Sequence, residues 1–164
     1  MSNSWRVERV VPNMHSELSL RIGELIVSEF YYDSRRGERP SAPEVLGYIN
    51  DHAYEKATFY ALIDESGTVY SAAAVSHNNG GKTTRVHELV THCDWRRLGL
   101  ARRVMLEGVA AGAKMAGDET IRLCSEPDAR NFYRQLGFMA VSPTNPCLDA
   151  NVAALLSRTN LQTQ

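Results

Sequence analysis

Arg96-Arg97-Leu98-Gly99-Leu100-Ala101 decides how the chain is read. The stretch follows an apolar, strand-like run from Val86 to Thr91 and opens a helical pattern that ends near Ala116, so it predicts a strand, a tight turn and a helix start. The first N–H groups of a helix have no intrahelical partners, and the macrodipole adds about half a positive charge, so a phosphate is stabilised there. Gly99 allows close backbone approach, Ala101 keeps the next turn small, and Arg96, Arg97, Arg102 and Arg103 bring charge for more than one phosphate. The glycine spacing is neither G-x-x-x-x-G-K-[ST] nor G-x-G-x-x-G, which disfavours an NTPase and a hydride-transfer enzyme.

Around this turn the composition sets bounds. A chain of 164 residues is read as one domain spanning residues 1–164, able to bury roughly 70% of its unfolded surface. The formal net charge of -1 gives no global case for DNA or a membrane surface, and the cationic residues are mostly Arg, which suits planar anion contacts. Cys93, Cys124 and Cys147 are odd in number, far apart and without a C-x-x-C, so reduced thiols are expected, with neither a disulfide framework nor a zinc site. No apolar leader or membrane-length run is present, which predicts a cytoplasmic protein.

Upstream, the alternating run from Trp5 to Val11 predicts a first strand, ended by Pro12-Asn13. Leu18, Ile22, Leu25, Ile26 and Phe30 recur at helical spacing and predict an amphipathic helix. A polar loop follows, carrying Arg35, Arg36 and Arg39, and Ser41-Ala42-Pro43-Glu44 reads as a capping box that starts a short second helix to about His52. Thr58 to Asp64, Val69 to Ser76 and Arg85 to Thr91 predict an antiparallel meander, turned at Glu65 to Thr68 and at Asn78 to Gly81. In the helix after the turn, Gly108 and Gly112 each cost up to about 1 kcal/mol against Ala. Lying one turn apart, they predict close packing onto the sheet. Thr120 to Ser125 predicts a strand, Pro127 to Leu136 a helix ended by Gly137, and Phe138 to Val141 another strand. Beyond Pro143 and Pro146, Asn151 to Ser157 fits a strand or a short helix equally.

The turn resembles motif A of the Gcn5-related N-acetyltransferases, [QR]-x-x-G-x-[GA], which holds the pyrophosphate of acetyl-coenzyme A. Ala129 to Phe138 resembles their motif B, a helix reading A-x-x-x-Y-x-x-x-G-F after the fifth strand. The two motifs stand in the family's order and at its separation. The resemblance implies an α/β (α+β) fold with a mixed central sheet of six to seven strands flanked by about four helices. It also implies an acetyl-CoA-dependent N-acetyltransferase that moves an acetyl group onto a primary amine, with no metal.

Residue by residue, the resemblance gives the end of the fourth strand, Leu89, Val90 and Thr91, to the pantetheine arm, with the Leu89 N–H facing the thioester oxygen as an oxyanion donor. Backbone N–H groups of Arg97, Leu98, Gly99, Leu100, Ala101 and Arg102, beside Arg96, would hold the pyrophosphate, and Asn131 and Tyr133 would contact the coenzyme. Tyr133, with a reference pKa near 10 against about 8.5 for a thiol, is the expected proton source for the leaving thiolate. An amine acceptor must lose a proton before it attacks, and His87, then Glu88, are the candidate bases, with a water chain as the alternative to both. Strand alternation predicts that they face opposite sides of the sheet. Glu126 stands where many relatives have Asn, and Arg97 stands in place of their first Gly, which suits a negative φ there.

The acceptor is expected to be a small-molecule amine and the protein a monomer or homodimer. Two other readings compete. Arg35, Arg36 and Arg39 near the expected acceptor mouth suit a protein amine or a charged tRNA, as in toxin-like relatives, and a non-catalytic coenzyme A-binding module would need only the turn.

Overall fold

In the computed structural model of the chain, which describes residues 4–13, 15–30, 39–52, 57–78 and 80–160, seven strands form one sheet in the order β1-β2-β3-β4-β5-β7-β6. The strands are β1 Arg6–Val10, β2 Thr58–Ile63, β3 Val69–Asn78, β4 Thr83–Thr91, β5 Thr120–Cys124, β6 Met139–Ala140 and β7 Cys147–Asn151. Neighbours are antiparallel except β4 and β5, which run parallel. This mixed sheet is that of the expected fold, and the meander of β2, β3 and β4 is as the sequence predicts. Arg35, Arg36 and the Tyr31 to Asp33 segment lie outside the described residues.

Alternation sorts the side chains into two cores. Helices α1 Glu17–Phe30 and α2 Ala42–His52 cover one face through Ile22, Leu25, Ile26, Val45, Leu46 and Ile49 against Phe59, Ala61, Ala72, Ala74 and Val90. The capping box at α2 forms as expected: the Ser41 N–H donates to Glu44 Oε2 at 2.7 Å, and the Glu44 N–H to Ser41 Oγ at 3.4 Å. The other face is covered by a continuous helical run made of α3 Leu100–Arg103, a π-wound segment Val104–Ala110 and α4 Ala111–Met115. The expected helix is present, but its middle is wound with wider π turns over the sheet. A Cβ on Gly108 would lie 2.7 Å from Tyr60 Cβ, and one on Gly112 would overlap the Tyr60 ring, so both glycines are required by the approach of this helix to β2.

After α5 Arg130–Leu136, the chain makes β6, returns as β7 beside β5 and ends in α6 Val152–Asn160. The ambiguous tail is therefore both elements in succession, with the Asn151 side chain accepting from the Ala154 N–H at 3.0 Å at the junction.

The reduced-thiol expectation is corrected for two of the three cysteines. Cys124 and Cys147 are register partners on β5 and β7 and form a disulfide, while Cys93 is free and exposed. No helix among the described residues is long and apolar enough to cross a membrane.

Candidate active site

The parallel pair β4–β5 ends at Val86 against Leu123, yet β4 continues to Thr91. Where the strands part lies a groove of about 510 Å³. Its walls are the β4 end (Leu89, Val90, Thr91), the turn and helix start (Trp95, Arg96, Arg97, Gly99, Leu100, Ala101, Arg102), α5 (Phe132, Tyr133, Gln135, Leu136) and the C-terminus of α1 (Glu29, Phe30). The two stretches singled out in the sequence thus face each other across one cavity. Leu98 is 59% exposed at the tip of the turn, Asn131 is exposed on α5, and the candidate bases His87 and Glu88 stand further down β4; none of the four lines the groove.

The turn departs from expectation at Arg97, whose φ is +64° rather than negative. That is the left-handed region, where a side chain costs roughly 1–2 kcal/mol. Gly99, at φ +77°, precedes the helix in the same conformation at no such cost. Two of the four arginines are already paired. Arg96 Nη2 lies 2.6 Å from Glu29 Oε2 on α1, and Arg103 holds Glu107 through Nε at 2.8 Å while donating to the Trp5 carbonyl at 3.2 Å. Arg102 is different: its Nε is buried with no hydrogen-bond partner.

Glu29 is a residue that sequence reasoning missed. Its carboxylate, 8% exposed, binds Arg96 and accepts the Cys93 N–H at 3.1 Å, so the last turn of α1 is tied to the turn that begins at Arg96. Its only signal was an acidic residue next to Phe30 on the predicted helix, and nothing there specifies a partner 67 residues away. Glu29, His92 and Cys93 also bring one ligand atom each within 4.8 Å of one another, but both Glu29 oxygens are already engaged.

The predicted opposition of His87 and Glu88 is replaced by a bulge. Ala74 pairs with Glu88 and Val75 with Val86, so His87 is the extra residue of β4. Its Nε2 lies 2.7 Å from Ser76 Oγ, and Ser76 shares the face of Ala74, the residue opposite Glu88. Both candidate bases therefore stand on the same face of the sheet.

Their surroundings perturb them in definable ways. Burial, then the Arg85 charge, push the His87 imidazole below its ordinary range, which keeps it neutral at pH 7. Burial raises the Glu88 carboxyl. Burial and the Glu88 charge push Tyr133 up to about 12. The phenol is therefore fully protonated at pH 7 and can act as a hydrogen-bond donor in the groove. Aromatic edges fix its ring, with Phe132 at 5.1 Å and Phe138 at 5.7 Å between centroids.

Comparison with known proteins bears on this geometry. Residues 42–153 match the model of the acetyltransferase (GNAT) domain family. The chain is 36% identical over 76 residues to an uncharacterized N-acetyltransferase of Porphyra purpurea, a match over 46% of this chain. It spans only 42% of that relative's length. Among solved structures, a GNAT-family acetyltransferase of Staphylococcus aureus superposes with a TM-score of 0.68 at 14% identity, covering 90% of this chain and 99% of that one. A spermidine/spermine N-acetyltransferase of Vibrio cholerae superposes with a TM-score of 0.63 at 13% identity, covering 94% and 96%. At those identities the structural likeness carries the fold.

Proposed function

The chain belongs to the GNAT acetyltransferases, and from that premise we propose that it transfers the acetyl group of acetyl-CoA to the primary amine of a small molecule by direct attack on the thioester. The observation that carries the reading is the groove itself, in which the β4 end, the arginine-flanked helix start and Tyr133 lie along one cavity. The pyrophosphate sits at the helix start, where unpaired N–H groups and Arg97 and Arg102 face it. The pantetheine arm follows Leu89 to Thr91 into the gap between β4 and β5, and the Leu89 N–H takes the developing oxyanion.

The acceptor amine approaches from the face that carries His87 and Glu88, because the opposite face is sealed by the helical run over β4 and β5. His87 takes the amine proton on Nδ1, its Nε2 being held by Ser76, and Glu88 attracts the incoming ammonium. The amine nitrogen bonds to the carbonyl carbon, the C–S bond breaks, and the electron pair leaves on sulfur. Tyr133 hydrogen-bonds that thiolate and gives it the phenolic proton, which solvent then replaces. The products are an acetamide and coenzyme A, with no covalent enzyme intermediate.

Trp95 lines the groove and the chain's only other tryptophan, Trp5, lies 5.7 Å away. Titration with acetyl-CoA should therefore change the intrinsic fluorescence, and a thiol-release assay over a panel of small amines should show turnover. Fluorescence change without turnover on any amine would leave coenzyme binding standing and remove the transferase reading; no change would remove both.

A further inference from the structure

The sheet face from which the acceptor must enter is only partly covered. Helices α1 and α2 pack over β1, β2, β3 and the Val90 end of β4, and leave the same face of β5 and β7 without a helix among the described residues. What that face presents follows from register. Thr84 and Val86 on β4, Ile121 and Leu123 on β5, and Leu148 and Ala150 on β7 are all buried beneath the opposite, helix-covered side. Their neighbours Arg85, Arg122 and Asp149 therefore line up across the open side, Arg85 beside Arg122 and Arg122 beside Asp149.

The charges on this row do not cancel. Arg122 is held by Asp149 through two hydrogen bonds of 2.7 Å each, a planar fork that neutralises both. Arg85 is exposed and makes no ion pair among the described residues. It stands two residues before His87, about 7 Å along the strand, on the face that His87 and Glu88 share. An unpaired guanidinium next to a pair of groups that receive an ammonium matches a ligand carrying both charges.

Building on the acetyl-transfer reading above, we propose that the acceptor is a small amine that also carries a carboxylate, held by Arg85 on the open face of β4 while its amine lies at His87 and Glu88. Arg85 is then a specificity-determining residue. A polyamine, cationic at both ends, would place its second ammonium against this guanidinium and is disfavoured. The paired Arg122 keeps Asp149 from presenting a bare negative charge to the carboxylate.

Matched probes that differ only in the carboxylate test this: lysine against cadaverine, phenylalanine against phenethylamine, and β-alanine against ethylamine. Each is measured twice, by calorimetric binding to the protein saturated with coenzyme A and by thiol release with acetyl-CoA. We expect the carboxylate-bearing member of at least one pair to bind and react at least tenfold better. Replacing Arg85→Gln should narrow that preference to within about twofold, chiefly through KM, and Arg85→Lys should restore part of it. Equal or reversed preference, or an Arg85→Gln variant that keeps the full preference, overturns the proposal. A carboxylate preference in binding without any turnover supports the subsite and overturns the transferase reading instead.

Discussion

His87 shows how one residue's setting fixes its chemistry. As the extra residue of the β4 bulge it turns toward Ser76, and burial together with the Arg85 charge lowers its pKa. A base must be neutral to act, so the acid limb of kcat/KM is expected below 6.5, the reference value for the group, with a flat profile from there to pH 8. Arg85→Gln removes a charge that disfavours the imidazolium, so the limb should move up in pH. His87→Ala should lower kcat by roughly a hundredfold or more, within the span of general-base effects. A limb in the carboxylate range that ignores Arg85 would transfer the role to Glu88. The same lowered pKa has a stability consequence with a definite sign: the folded state prefers neutral His87, so this contribution is present above pH 6.5 and is lost as pH falls through the folded value. The sequence singles out His87 and Glu88 as candidate bases, while their common face was not legible in it. Perfect alternation is the default along a strand, and a bulge is decided by the pairing of β3 with β4, which no local pattern encodes. Arg97 escaped for a similar reason: its positive φ is imposed by the turn against the preference of the residue itself.

At the scale of elements, packing rather than propensity explains the helical run from Leu100 to Met115. Its two interior glycines weaken it as a helix, and their spacing was the sequence signal that it lies close to a sheet. The structure supplies the partner, Tyr60 of β2. Gly112→Ala is therefore expected to destabilise the protein by about 1–3 kcal/mol, as overpacking does, although alanine is the better helix former. Tyr60→Phe in the same background should recover part of the loss, and additive effects in urea unfolding would exclude the contact as the cause. The disulfide is the opposite case. Nothing in a separation of 23 residues shows that β7 returns antiparallel to β5 with Cys147 opposite Cys124, because the intervening Pro143 and Pro146 obscure the strand. Closing a loop of that length restricts the unfolded chain, so Cys124→Ser, or reduction of the intact protein, should cost about 3 kcal/mol. Equal urea midpoints with and without reductant would mean that the pair contributes nothing in solution.

Across the whole molecule, the site depends on parts that are far apart in sequence and belong to different layers. The motif stretches were legible because each is a local arrangement of turn, glycine and charge, and the groove forms where they meet. The tie that sets their distance from α1 was invisible: Glu29 binds Arg96 at 2.6 Å and the Cys93 N–H at 3.1 Å across the top of the sheet. In the proposed function α1 belongs to the layer over the acceptor face and Arg96 to the coenzyme turn, so this carboxylate would couple the two halves of the site. Glu29→Ala leaves Arg96, already mostly exposed, to water, so the loss of intrinsic stability should be modest, about 1–2 kcal/mol, below that of a fully buried pair. Its larger effect is on the ligand. With the turn no longer anchored, acetyl-CoA must order it on binding, and Kd should rise about tenfold. At a coenzyme concentration one hundred times the wild-type Kd, ligand binding stabilises the native wild type by about 2.7 kcal/mol, and a tenfold weaker variant should retain about half of that. Thermal melting with and without acetyl-CoA reads both quantities in one experiment. If the variant loses stability but keeps the full ligand-induced shift, Glu29 merely fastens α1, and the coenzyme turn holds its shape without help from the acceptor side.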